Sequence, residues 1–132
     1  MKREKRLRIE WEYTLSNTKE LYEKFNFQEL HDYIVRAHAA TCMREVYAIK
    51  SMWNLCLVQE PSISPYFGPS IIIGPSECKK LISLEFKPLE NSPGEKERAS
   101  LKECPASDAL PILVDFLERL KAEIARPLGR EV

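Results

Sequence analysis

The sequence predicts a single α+β domain in which an antiparallel sheet of about four to five strands packs against a C-terminal amphipathic helix. Two observations support this prediction. Every glycine and proline lies beyond residue 60, so long uninterrupted elements are expected before that point and short elements joined by turns after it. The last apolar segment before Pro127 repeats at helical spacing, whereas the apolar segments between residues 52 and 104 are short. A chain of 132 residues fits one domain, spanning 1–132.

The first predicted element is a strand at residues 6 to 15. Apolar side chains occupy every second position there, at Leu7, Ile9, Trp11, Tyr13 and Leu15. This alternation is typical of a strand that buries one face and exposes the other. Residues 1 to 5, which precede it, are mostly charged and are expected to form a flexible basic tail.

A pair of helices is predicted next. Asn17 and Glu20 have the spacing of a capping box, so a short helix from Thr18 to about Phe25 is expected. A second helix is expected to begin near Phe27, because apolar and small residues recur at helical spacing at Leu30, Ile34, Ala37 and Thr41. Beyond about Val35 the segment is apolar nearly all round. The sequence therefore leaves open whether this helix is buried on two sides or ends there.

Three or four strands are expected after the helices. The first runs from about Met52 to Gln59, although residues 44 to 59 fit the helical period as well and the choice between strand and helix stays open. Ile71 to Ile73, with Gly-Pro on either side, has the pattern of a short strand buried on both faces.

Two further strands are predicted around a turn-rich segment. Leu81 to Lys87 should point Ile82, Leu84 and Phe86 inward, and Arg98 to Cys104 should point Ala99 and Leu101 inward. The segment 88–97 between them contains Asn-Ser-Pro-Gly and several charges. We therefore expect an exposed hairpin loop there.

The last element is predicted to be an amphipathic helix. Ser107 or Asp108 can cap its start, and Pro111 falls in the first turn, where proline is tolerated. Its expected apolar stripe consists of Leu110, Leu113, Val114, Leu117 and Ile124. The helix should end before Pro127, which leaves residues 127–132 as a flexible C-terminus.

The charge balance bears on the class of partner, and the cysteines bear on the cellular compartment. Twenty basic residues balance twenty acidic ones, so no strong overall field would attract nucleic acid or an anionic membrane. No apolar run approaches the roughly 20 residues of a membrane helix. The four cysteines form no CxxC pair, and a domain of this size needs no disulfide, which favours a cytoplasmic protein with free thiols.

The candidate chemical motifs are incomplete. His31, His38 and Cys42 lie at helical spacing and could share a zinc ion with another cysteine, but structural zinc sites usually draw their ligands from close pairs. His38-Ala39-Ala40 lacks the glutamate of the zinc-deaminase pattern, and no serine lies in a G-x-S-x-G elbow. The sequence therefore predicts no metal site and no cofactor, and it favours a protein that is not an enzyme.

The uncharged segment from Pro61 to Ser76 carries the leading functional hypothesis. Aromatic residues between prolines offer rigid apolar area for a contact, so Ile63, Tyr66 and Phe67 are predicted to bind a partner. The expected function is a non-enzymatic interaction module, of the adaptor, chaperone or inhibitor type. Its partner would be another protein or a second copy of the chain.

Two alternatives stay open. The order of sheet and C-terminal helix could enclose a pocket for a small apolar ligand, lined by Trp11, Tyr13, Phe86 and Leu117. The basic residues near the start could instead contact the phosphates of a nucleic acid; they are Lys2, Arg3, Lys5, Arg6 and Arg8.

Overall fold

The computed structural model describes residues 2–60, 68–76 and 81–125, and it confirms a single α+β domain with an antiparallel sheet. Eleven elements follow one another in these ranges: α1 (Arg3–Lys24), α2 (Gln28–Ala40), a 3₁₀ turn (Cys42–Glu45), β1 (Tyr47–Ser51), β2 (Asn54–Val58), β3 (Ser70–Pro75), β4 (Ile82–Lys87), α3 (Glu95–Arg98), β5 (Ser100–Cys104), a second 3₁₀ turn (Ala106–Asp108) and α4 (Ala109–Ala125).

The five strands form a meander in which each strand pairs with the next in the chain, in the order β1-β2-β3-β4-β5. The register aligns Leu57 with Ile71 and Ile71 with Phe86, so large apolar side chains lie in rows across one face. That face belongs to the main hydrophobic core. The strands predicted around Ile71 to Ile73 and from Leu81 to Lys87 are confirmed as β3 and β4.

Three helices provide the other side of the core. α1 contacts β1, α4 contacts β3 and β4, and α2 contacts both α1 and α4. Two buried tyrosines attach the helices to other elements: the hydroxyl of Tyr22 donates to the Trp53 carbonyl at 2.9 Å, and that of Tyr33 donates to the Ala109 carbonyl at 3.2 Å. Burial raises the pKa of both hydroxyls, which keeps them protonated and able to donate.

The predicted N-terminal strand is wrong, because residues 6 to 15 belong to the 22-residue helix α1. The side chains that α1 buries are spaced three and four apart, as one helical face requires; they are Leu7, Trp11, Thr14, Thr18 and Tyr22. Ile9 and Tyr13, at the alternate positions, lie on the opposite side and are 45% and 71% exposed. The first turn of this helix also contains residues 3 to 5, which were expected in a flexible tail.

The undecided segment after α2 forms a hairpin. The side-chain oxygen of Thr41 donates to the Ala37 carbonyl and accepts from the Met43 amide, so it closes α2 and starts the 3₁₀ turn. Strands β1 and β2 then pair across a turn at Met52 and Trp53, where Met52 has a φ of 54°. The predicted strand from Met52 to Gln59 is therefore confirmed for its later part only.

The segment predicted as an exposed hairpin loop does connect the antiparallel neighbours β4 and β5. It contains the short helix α3, and Pro88 at its start is buried. The prediction that Leu101 points inward is wrong. Leu101 lies opposite Glu85, on the sheet face away from the helices, and it is 63% exposed. Ala99, also expected inward, precedes β5 and is exposed.

The C-terminal helix is confirmed as α4, with Pro111 in its first turn. Its buried apolar side chains are Ala109, Leu113, Phe116, Leu117 and Leu120. Val114, predicted in the apolar stripe, is partly exposed, because the stripe turns towards Phe116 and Leu120 instead. The side chain of Ile124 and residues 127–132 lie outside the described part of the chain. Among the described residues, no helix has both the length and the apolar character of a membrane span.

Candidate functional site

A cleft of about 580 Å³ lies where the first half of α1, the end of α2 with its following 3₁₀ turn, and Lys121 of α4 come together. Its floor is apolar and consists of Leu7, Trp11 and Val46. Its rim is charged, because seven of the eleven lining residues that the structure describes have ionisable side chains. An apolar centre within a polar rim is the usual anatomy of a binding surface.

Trp11 fixes the geometry of the floor. Its side chain is nearly buried, and its indole N–H donates to the Val46 carbonyl at 2.9 Å, which joins α1 to the start of β1. The imidazole of His38, at the end of α2, lies against the indole with 4.8 Å between ring centroids. The floor is therefore held by contacts among three elements before any ligand binds.

Two of the rim cations are used by the fold itself. Arg3 forms an ion pair with Glu60 at 2.8 Å and donates to the carbonyls of Glu45 and Gln59. Arg44 donates to three carbonyls at the end of α2, those of His38, Ala39 and Thr41. These carbonyls have no partner within the helix, so Arg44 satisfies them and also balances the negative end of the helix dipole.

The other two rim cations, Arg8 and Lys121, are exposed. Within the described part of the chain, no hydrogen bond or ion pair engages either side chain. The cleft also contains the carboxylates of Glu4 and Glu45, and Glu60 pairs with Arg3, so four permanent cations lie against three anions among the described residues. The charge that the cleft can offer to a ligand is therefore positive and is concentrated at Arg8 and Lys121.

The pKa of His38 lies below its ordinary value of 6.5, first because the ring is desolvated and second because Arg44 is near. The folded protein consequently binds a proton at His38 less readily than the unfolded chain does. The stabilisation that follows is present above pH 6.5, and it is lost as the pH falls from there towards the depressed pKa of the folded state.

We therefore expect the free energy of unfolding to fall on acidification below pH 6.5, and His38→Gln to weaken this dependence. Denaturant unfolding of both proteins across this pH range measures the effect. Carboxylates titrate in the lower part of the range, so the informative quantity is the difference between the two proteins. A pH dependence that is identical in the variant would contradict the assignment to His38.

The basic residues predicted to bind nucleic acid do not form one patch. Arg3 and Arg8 both line the cleft, but Arg3 is already paired with Glu60, and Arg6, which does not line the cleft, pairs with Glu10 at 2.8 Å. Lys2 and Lys5 are exposed, and neither lines the cleft. The guanidinium groups of Arg3 and Arg6 also lie over the ring of Tyr47, at 4.9 and 5.4 Å from its centroid.

The four residues predicted to line a small-molecule pocket are not brought together around one cavity. Phe86 and Leu117 are buried in the main core, and the ring centroids of Phe86 and Phe116 are 6.0 Å apart. Trp11 belongs to the same core cluster and forms the cleft floor, whereas Tyr13 points to the opposite side of α1. Of this set, only Trp11 contributes to the candidate site.

The predicted partner-binding residues Ile63, Tyr66 and Phe67 lie outside the described residues. The two histidines considered as zinc ligands are engaged separately: a ring nitrogen of His31 lies 3.1 Å from the Leu15 carbonyl, and His38 packs on Trp11. In the ranges 2–60, 68–76 and 81–125, no group of three histidine, cysteine or acidic side chains is arranged to hold a metal ion.

Sequence reasoning missed the parts of the site that come from separate elements. Arg44 lies in the 3₁₀ turn, Val46 directly precedes β1, and Lys121 lies in α4, and no spacing along the chain connects them. A helical reading of residues 3 to 11 would have placed Leu7, Trp11 and Arg8 near one side of a helix.

Comparison of the chain with protein-family models, with curated proteins and with solved structures finds no match. The geometry of the cleft is therefore the basis for assigning a function.

Proposed function

We propose that the protein is a non-enzymatic interaction module that holds a segment of a partner protein in the cleft between α1, α2 and α4. The observation that carries the proposal is the preformed apolar floor of Leu7, Trp11 and Val46 inside a charged rim. Interfaces place apolar side chains centrally and polar ones peripherally, and arginine is frequent among the residues that dominate binding energy.

The cleft suits a polypeptide better than a small apolar ligand. The cations of Arg8 and Lys121 lie at the rim, and a small apolar ligand would cover them without supplying a counter-charge. The floor residues Leu7, Trp11 and Val46 are each less than a tenth exposed, so the floor is a packed surface and not a deep apolar cavity. A peptide can place one or two side chains on such a floor while its backbone and polar groups meet the rim.

The proposal keeps the adaptor or inhibitor type of function and a cytoplasmic location. Cys42, Cys56 and Cys104 are free thiols, as expected for a protein in a reducing compartment. Burial raises the pKa of the Cys56 thiol to about 11, so this cysteine is a poor nucleophile at neutral pH. The predicted contact through Ile63, Tyr66 and Phe67 stays a prediction, and the cleft proposal does not depend on it.

The test is a selection of random displayed peptides on the folded protein, followed by binding to two matched variants. Arg8→Trp places a bulky side chain at the cleft rim. Lys19→Trp makes the same kind of change on an exposed position of α1, about 16 Å further along the helix axis. Both sites are exposed, so each variant should keep its stability within about 0.5 kcal/mol.

We expect selected peptides to bind the unmodified protein and the Lys19→Trp variant equally. Their affinity for the Arg8→Trp variant should be lower by about tenfold or more, and a tenfold loss corresponds to about 1.4 kcal/mol. Thermal melts of all three proteins serve as the control for folding. Peptides that bind the Arg8→Trp variant as tightly as the unmodified protein would show that the cleft is not the site. A selection that returns no binder would count equally against the proposal.

A further inference from the structure

We infer that the segment held in the cleft is acidic, with two carboxylates that pair with Arg8 and Lys121 on either side of an apolar side chain placed on the floor. This inference rests on the proposed function and specifies the chemistry of the partner. It concerns which segments bind, whereas the proposed function concerns where they bind.

Two of the four rim cations already have partners within the protein. Arg3 already has a carboxylate partner in Glu60, and the guanidinium of Arg44 is occupied by the carbonyls that end α2. Arg8 and Lys121 have neither kind of partner in the described part of the chain. They are the two cations whose charge is free to meet a ligand.

Arg8 and Lys121 approach the cleft from different helices. Arg8 lies on α1 and Lys121 lies on α4, and both line the same cleft as the apolar floor residues. A ligand that meets both cations therefore contacts two of the helices that line the cleft. An extended peptide advances about 3.3 Å per residue, and its alternate side chains point to the same face, so carboxylates on both sides of an apolar residue can serve both cations.

The charges and rings of the cleft suit an acidic peptide better than a nucleic acid. A nucleic-acid surface presents a continuous row of cations to a phosphate backbone, usually with exposed aromatic rings for stacking on bases. Here Arg3 and Arg6 are paired with Glu60 and Glu10, and Glu4 and Glu45 interrupt the rim. The indole of Trp11 in the cleft is nearly buried, and the ring of His38 packs against it. The remaining positive charge is local, as suits a pair of carboxylates.

The experiment uses the peptides selected on the folded protein and measures their affinity by fluorescence anisotropy. Each peptide is compared with a version in which every Asp becomes Asn and every Glu becomes Gln. We expect this change to weaken binding about tenfold or more, since it removes two charge-assisted pairs at the rim. We also expect affinity for the acidic form to fall as salt rises, because exposed ion pairs are screened.

Charge reversal on the protein tests the same pairs from the other side. The double variant with Arg8→Glu and Lys121→Glu should weaken the acidic peptides by about tenfold or more, whereas Lys19→Glu on the same helix should leave their affinity unchanged. Both variants change exposed side chains only, and matching thermal melts confirm that each is folded.

Several results would overturn the inference. If peptides that compete for the cleft keep their affinity as amide versions, the partner is not acidic, although the cleft remains the binding site. If a single-stranded oligonucleotide binds more tightly than the peptides and loses that affinity in the double variant, the ligand is a nucleic acid and both proposals fail. If Lys19→Glu weakens the peptides as much as the double variant does, the pairing with Arg8 and Lys121 is excluded.

Discussion

Replacement of Trp11 by alanine is expected to lower the free energy of unfolding by about 3 to 5 kcal/mol, whereas Tyr13→Ala should change it by less than about 0.5 kcal/mol. The two aromatic residues are neighbours in an alternating pattern, but α1 sends them to opposite sides. Trp11 is 2% exposed and bonded to the Val46 carbonyl, and Tyr13 is 71% exposed. The alanine at position 11 would leave a large cavity and an unpaired carbonyl.

Denaturant unfolding of the two variants measures both free energies. Trp11→Phe adds a third point, because phenylalanine fills much of the space but cannot donate to the Val46 carbonyl; a loss of about 1 to 2 kcal/mol is expected. Residues 6 to 15 in a half-buried strand would place Trp11 and Tyr13 on the same face. Comparable losses for Trp11→Ala and Tyr13→Ala would therefore contradict the helical assignment of α1.

The second large effect is expected at Arg98, which attaches the β4–β5 connection to α4. Its guanidinium makes a two-point contact with Glu123, at 2.7 and 2.9 Å, and also donates to the side chain of Ser92 and the carbonyl of Pro93. The Glu123 side chain is only 4% exposed. Arg98→Met would leave this carboxylate buried without its main counter-charge, at a cost of about 3 kcal/mol.

A double-mutant cycle separates the pair from the rest of the network. Removing one member of a buried ion pair costs more than replacing both by apolar residues of similar size, so the variant with Arg98→Met and Glu123→Leu should be more stable than Arg98→Met alone. Thermal or denaturant unfolding of the singles and the double provides the coupling energy. Purely additive losses, with no recovery in the double variant, would show that the two side chains do not act as a pair.

The N-terminal helix shows how a correct observation can lead to a wrong element. Residues 7 to 15 alternate between apolar and polar types, which predicts a strand. The buried face of α1, however, includes Thr14 and Thr18, so part of the helical stripe is invisible to a count of apolar residues. The absence of glycine and proline before residue 60, together with the many Glu, Lys, Arg and Leu residues, favoured the helix all along.

Other elements were predictable because local and tertiary signals agree. Apolar period, a proline in the first turn and a proline beyond the end all indicate α4, and alternation alone indicates β4. The β1–β2 turn had no such signal. Its residues are Met52 and Trp53, and Met52 has a positive φ, which methionine rarely adopts. Tertiary packing, including the bond from Tyr22 to the Trp53 carbonyl, sets this conformation.

The cleft could not be predicted from the sequence, because it too depends on tertiary packing. Its floor and rim combine residues from 3 to 121, and the spacing of these residues along the chain has no regularity. Sequence reasoning identified Trp11, Arg3 and Arg8 as notable but assigned them to two different sites. Their common position depends on α1 being a helix and on the contacts of α2 with α1 and α4.

The most direct test of the cleft as the binding site uses the two tryptophans of the chain as reporters. The indole of Trp11 lies in the cleft, and that of Trp53 lies at the exposed β1–β2 turn, so their side-chain N–H signals report two distant surfaces in a nitrogen-15 correlation spectrum. Trp53→Phe assigns the two signals. Titration with a selected peptide should shift the Trp11 signal and leave that of Trp53 in place. A shift of the Trp53 signal with an unchanged Trp11 signal would contradict the account.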